Sequence, residues 1–93
     1  MPSPAIHPGE HLAGELNELG ISASELARKL SVPTNRITAI LNRQRSITAD
    51  TALRLARFFG TSANFWLNLQ IIYDLRIAEK KTIPPIRPPR LVA

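Results

Sequence analysis

Leu12, Leu16 and Leu19 recur at helical spacing between Pro8 and Gly20, so the first apolar stripe of the chain is a helix face. Pro8 suits a first helical position and Gly20 ends the run, which predicts a helix over 8–19. Leu26, Ala27 and Leu30 predict a second over 23–30. It is opened by Ser22 with Glu25 three residues on, the pattern of a capping box. Pro33 breaks the run, because proline biases Val32 away from helical backbone and is itself tolerated only in a first turn. Ile37, Ile40 and Leu41 then mark a third helix over 34–42. Thr48 stands in the capping position of a fourth, 49–59, where Ala52, Leu55, Ala56 and Phe59 lie at i, i+3, i+4 and i+7 and Gly60 is the stop. Ser62 caps a fifth, 63–80. Pro84, Pro85, Pro88 and Pro89 hold the remainder extended. No alternating strand pattern occurs. The expected architecture is all-α, with five helices in residues 1–81 and a Pro-rich basic tail over 82–93.

On a helical wheel the fifth helix has two apolar strips where a monomeric surface helix needs one. Phe65, Trp66, Leu69, Ile72, Tyr73 and Ile77 form a broad strip. Leu67, Ile71, Leu75 and Ala78 form another, separated from it by Gln70 and Asp74 on one side and by Asn64 and Asn68 on the other. One strip is expected on the domain and the other on a second copy of the chain, with Leu67, Ile71, Leu75 and Ala78 as the interface. The alternative is that the tail folds back over the second strip. The spacing of Trp66 and Tyr73 on an apolar strip assigns them to the core and not to base stacking.

The second and third helices, split by the short break Ser31-Val32-Pro33, have helix-turn-helix spacing. The outer face of the third carries Thr34, Asn35, Thr38, Ala39 and Asn42. These side chains are short, polar and uncharged, or nearly absent, whereas a merely solvated face carries more Glu and Lys. Asn35 suits paired hydrogen bonds to adenine, Thr34 and Thr38 suit base edges or a thymine methyl, and Ala39 permits close approach. Arg36, Arg43 and Arg45 flank the face as candidate phosphate contacts. Thr48 offers a hydroxyl and a helix N-terminus to a phosphate.

Charge supports a polyanionic partner. Twelve Lys and Arg against 7 Asp and Glu give +5. The 93 residues bound one domain with one modest core. There is no cysteine, hence no disulfide framework or thiolate metal site. The first residues lack a basic segment followed by an apolar one, and no apolar run reaches a membrane span, so the chain is expected in the cytoplasm without a membrane partner. No cofactor is expected. His7-Pro8-Gly9-Glu10-His11 matches the bare H-x-x-E-H string of inverted zinc peptidases. Pro8 and Gly9 place it at a helix start and no further histidine exists. Its expected role is structural, with His7 as cap, Pro8 at the first position and Glu10 facing the helix dipole. An enzyme is not expected.

Several blocks together resemble a known family. The helix-turn-helix and five-helix order resemble the lambda-repressor-like, Xre-type DNA-binding domains. His7-Pro8-Gly9-Glu10, the run Ser46-Ile47-Thr48-Ala49-Asp50-Thr51-Ala52-Leu53-Arg54-Leu55, and Phe65-Trp66-Leu67-Asn68-Leu69-Gln70 resemble the HigA-type antitoxins of bacterial toxin–antitoxin modules. The final Arg90-Leu91-Val92-Ala93 is similar to the ends of some members. The resemblance implies a homodimer that represses its own operon and neutralises a small toxin, usually a RelE-like mRNA endonuclease. A two-fold dimer implies a pseudo-palindromic operator, with half-sites about 34 Å apart. One departure is Ala23, where many Xre domains have a Gln that braces a backbone contact. Here that contact is either weaker or carried by Ser22 and Ser24. Such a toxin is expected to be basic, which favours the acidic Glu10, Glu15 and Glu18 of the first helix as its binding site, on a surface away from the third helix. The rival readings are a stand-alone repressor without a toxin and a protein-binding module that no longer reads DNA.

Overall fold

The computed structural model describes residues 4–90, and its five helices run α1 Pro8–Leu19, α2 Ala23–Leu30, α3 Thr34–Leu41, α4 Ala49–Phe59 and α5 Ala63–Glu79. The sequence pattern overshoots only at the ends of α3 and α5, by one residue each. Residues 91–93, and with them the end of the tail, lie outside the described residues.

Each boundary has a local cause. His7 Nδ1 accepts the Gly9 N–H at 2.9 Å, while the Glu10 carboxylate accepts the His7 N–H at 3.2 Å. Ser22 Oγ accepts the Glu25 N–H at 3.1 Å and Glu25 returns the bond to the Ser22 N–H, so the capping box of α2 is formed. Ser62 caps α5 through the Phe65 N–H. Thr48 differs from expectation. Its backbone starts α4, but its side chain makes no capping bond. Gly20 and Gly60 end α1 and α4 in left-handed backbone, at φ 67° and 70°.

One core collects the apolar faces of all five helices: Leu12 and Leu16, Leu26, Ala27 and Leu30, Ile37 and Ile40, Ala52 and Leu55, and Trp66, with Ile47 from the α3–α4 loop. Burial of each Leu or Ile among them contributes about 1.5–3 kcal/mol. The α5 wheel is not divided as the pattern predicts. Trp66 and Gln70 are its buried residues, and Leu67 from the second strip packs partly on the core. Ile72 from the first strip is 51% exposed, beside Ile71 at 53% and Leu75 at 54%. Gln70 does not separate two strips but stands on the buried line, accepting the Ile47 N–H and donating to Asp74 at 2.9 Å. Residues 82–90 have no helix or strand and are exposed throughout, leaving Ile71 and Leu75 open rather than covered by a folded-back tail.

Candidate nucleic-acid interface

The turn between α2 and α3 is made by Ser31 in left-handed backbone at φ 57°, followed by Val32 and Pro33. The Val32 N–H returns to the Ala27 carbonyl at 3.0 Å, closing the end of α2. Pro33 has extended backbone and supplies the carbonyl that begins α3. Ile37 and Ile40 are then buried, which turns Thr34, Asn35 and Asn42 outward, with Thr38 and Ala39 half-exposed. The Thr38 hydroxyl donates to the Asn35 carbonyl at 3.4 Å. Ser24 is exposed at the start of α2, and Ala23 packs against the core.

The position of α3 is fixed from two sides. Against α1, Gly9 is buried so tightly that a Cβ there would overlap the Ile40 carbonyl oxygen. This close approach is why glycine occupies the second position of α1. Just beyond α3, Arg43 adopts φ 62°, and its Nη2 donates to Glu10 Oε1 at 2.9 Å. A non-glycine residue held in left-handed backbone is strained, and such strain often accompanies a functional position. Burial, and then the Arg43 guanidinium, hold the His7 imidazole below its ordinary pKa. That keeps Nδ1 free to accept from Gly9.

Against α4, Arg36 Nη1 donates to Asp50 Oδ2 at 2.7 Å, and Arg54 Nε donates to the same oxygen at 3.0 Å. Arg54 also reaches the Leu30 carbonyl at 2.7 Å, at the end of α2. The two guanidinium hydrogen bonds, that of Arg54 first, hold the exposed Asp50 carboxyl below its ordinary range. Arg36 therefore differs from the free phosphate contact that its sequence position suggests. It is tied to α4, and only Arg45 of the three flanking arginines makes no ion pair among the described residues.

The acidic residues of α1 divide. Glu10 sits beside the end of α3 and holds both the His7 N–H and Arg43, so it is not on a surface remote from α3. Glu15 lies 3.5 Å from His11, and Glu18 is exposed. The residues of the H-x-x-E-H string are engaged in packing and capping. His7 is a cap, His11 packs edge-on to Phe65 and Trp66, and no cluster of three metal-ligating side chains occurs among the described residues. Trp66 is buried and donates its indole N–H to Thr61 at 2.9 Å. No helix among the described residues is long and apolar enough to cross a membrane. No helix pattern points to the partners of Gln70, Asp50 and Arg54, which fix the loop after α3 and the first turn of α3.

The helix-turn-helix family model matches residues 13–66. Virulence-associated protein I of Dichelobacter nodosus is 56% identical over 78 residues, which is 83% of this chain and 72% of that protein. The structure of an addiction-module antidote protein of the HigA family from Coxiella burnetii superposes with a TM-score of 0.81 at 56% identity, covering 89% of this chain and all of that one. The antitoxin HigA of Pseudomonas aeruginosa, solved with the higBA promoter, superposes at 0.79 with 50% identity, covering 81% of this chain and 83% of that one. Helix order, turn geometry and these likenesses agree, and the chain belongs to the Xre-like helix-turn-helix family of HigA-type antitoxins.

Proposed function

We propose that this protein is an antitoxin and autorepressor that binds a pseudo-palindromic operator as a homodimer and neutralises a RelE-like mRNA endonuclease. The observation that carries the DNA-binding part is the outward face of α3. Thr34 and Asn35 stand exposed in its first turn, with Thr38, Ala39 and Asn42 beside them and the backbone-strained Arg43 at its end. Short neutral groups there meet base edges, and Arg43, Arg45, Ser22, Ser24 and Thr48 are the backbone contacts. The likeness to HigA solved with promoter DNA supports this reading. The family is one of non-enzymatic regulators, and a DNA-binding antitoxin acts in the cytoplasm.

For the dimer, Ile71 and Leu75 are the centre of the proposed interface, with Ala78 beside them and Leu67 at its edge, partly on the core. For the toxin, Glu15 and Glu18 are the carboxylates of α1 that stand clear of Arg43, and Glu10 joins them only by giving up that pair. Co-expression with the neighbouring reading frame tests the toxin assignment. The intact chain should rescue growth, and rescue should fail when Glu15 and Glu18 become Lys while operator binding survives. A neighbour that is harmless alone favours the stand-alone repressor instead. Rescue that ignores α1 and depends on residues 82–93 moves the toxin site to the tail.

A further inference from the structure

Asp50 is the one acidic residue between Glu25 and Asp74, a span that holds Arg28, Lys29, Arg36, Arg43, Arg45, Arg54 and Arg57. A carboxylate in such surroundings, at the front of α4 and against the first turn of α3, opposes DNA binding by repulsion from phosphates. Its geometry gives it another use. A single oxygen, Oδ2, receives both Arg36 and Arg54, and Arg54 is anchored in turn on the Leu30 carbonyl and, at 3.4 Å, on the Ser31 carbonyl. The bridge therefore runs from the end of α2, through α4, to the first turn of α3. It draws the Arg36 side chain down to 24% exposure, against 59% for Arg43.

We propose that Asp50 is a specificity-determining residue: through the Arg36–Asp50–Arg54 bridge it holds the Arg36 guanidinium off the DNA phosphates and so weakens binding to non-operator DNA. This rests on α3 being the DNA reader. Non-specific affinity comes from the number of phosphates neutralised, regardless of sequence. A free arginine beside Thr34 and Asn35 adds to that number on every duplex. Tied to α4, it leaves base-edge contacts a larger share of the binding and steadies the turn that presents them. Asp50 stays ionised across the neutral range, because its two guanidinium partners hold its pKa down.

The experiment is fluorescence anisotropy on an operator duplex and a scrambled duplex over a series of salt concentrations, with the intact chain, Asp50→Asn, Arg36→Gln and the double variant. Asp50→Asn should bind the scrambled duplex several-fold more tightly and steepen the slope of log affinity against log salt by about 0.9 per bound subunit. The ratio of operator to scrambled affinity should fall. Arg36→Gln alone should leave the slope of the intact chain unchanged, and the double variant should return to that slope. A slope that drops by about 0.9 in Arg36→Gln shows Arg36 already on a phosphate and overturns the proposal. So does a gain from Asp50→Asn that persists without Arg36, since it then comes from removal of the carboxylate alone. Equal weakening of both duplexes by Asp50→Asn, at constant slope, also overturns it and makes the bridge a structural strut only. If Asp50→Asn fails to fold by circular dichroism, the Arg36→Gln slope decides. An intact chain that does not prefer its operator removes the DNA reading itself, and this inference with it.

Discussion

The side-chain carbonyl of Gln70 accepts the backbone N–H of Ile47 at 2.8 Å, a buried bond that ties the loop between α3 and α4 to the middle of α5. Ile47 is itself in the core, so its N–H has no route to water once that partner is removed. Gln70→Leu keeps apolar bulk but orphans the donor, and should cost about 1–3 kcal/mol. Urea unfolding followed by circular dichroism checks this, and an unchanged midpoint would mean the loop finds another acceptor.

Gly9 and Ile40 set the spacing of α1 and α3. A methyl at Gly9 meets backbone, which cannot swing aside as a side chain can. Gly9→Ala should therefore destabilise by about 1–3 kcal/mol, as overpacking does. It should also weaken operator binding in the fraction that remains folded, because α3 must shift to admit the methyl. Stability and affinity both matching the intact chain would show that the helices separate without cost.

These pairs mark what the chain's pattern can and cannot express. The helices, the caps at His7, Ser22 and Ser62, and the uncharged face of α3 are local features, readable from Ser22 with Glu25, from Gly20 and Gly60, and from the apolar spacing. Gln70 reads as a solvated separator because its partner Ile47 lies 23 residues away and no periodicity announces a buried amide. Arg36 pairs with Asp50 across 14 residues and Arg43 with Glu10 across 33, so their side chains are committed by packing alone. The division of α5 fails for a related reason. A wheel assigns one direction to each apolar residue, whereas α5 packs along the Trp66–Gln70 line and leaves apolar residues open on both sides of it.

The His7 cap gives a pH dependence with a defined sign. The folded state holds the pKa of His7 below the ordinary 6.5, so the unfolded chain takes up a proton there at higher pH. The stability contributed is full above that ordinary value and is lost as pH falls through the folded one. Protonation would also place a hydrogen on Nδ1 in place of the bond from Gly9. Melting temperature should thus drop as pH falls below about 6.5, and drop less in His7→Asn, which caps without titrating. Equal drops in both proteins would exclude His7 as the source.

Ile71, at 53% exposure in the middle of α5, tests the dimer. Ile71→Glu should give a folded monomer by sedimentation, since the residue contributes little to the core. Operator affinity should fall steeply, because two linked half-site contacts become separate ones. A monomer from the intact chain at tens of micromolar would contradict the interface.

If the uncharged face of α3 reads bases, the Thr34/Asn35/Thr38 triple alanine variant loses that reading, which its affinities for operator and scrambled duplexes measure. The operator-to-scrambled affinity ratio should collapse, by about 1–3 kcal/mol for each base edge no longer hydrogen-bonded. Binding to the scrambled duplex and its salt slope should stay as in the intact chain, because the phosphate-binding residues are untouched. An undiminished preference for the operator in that variant would show that these side chains do not read bases.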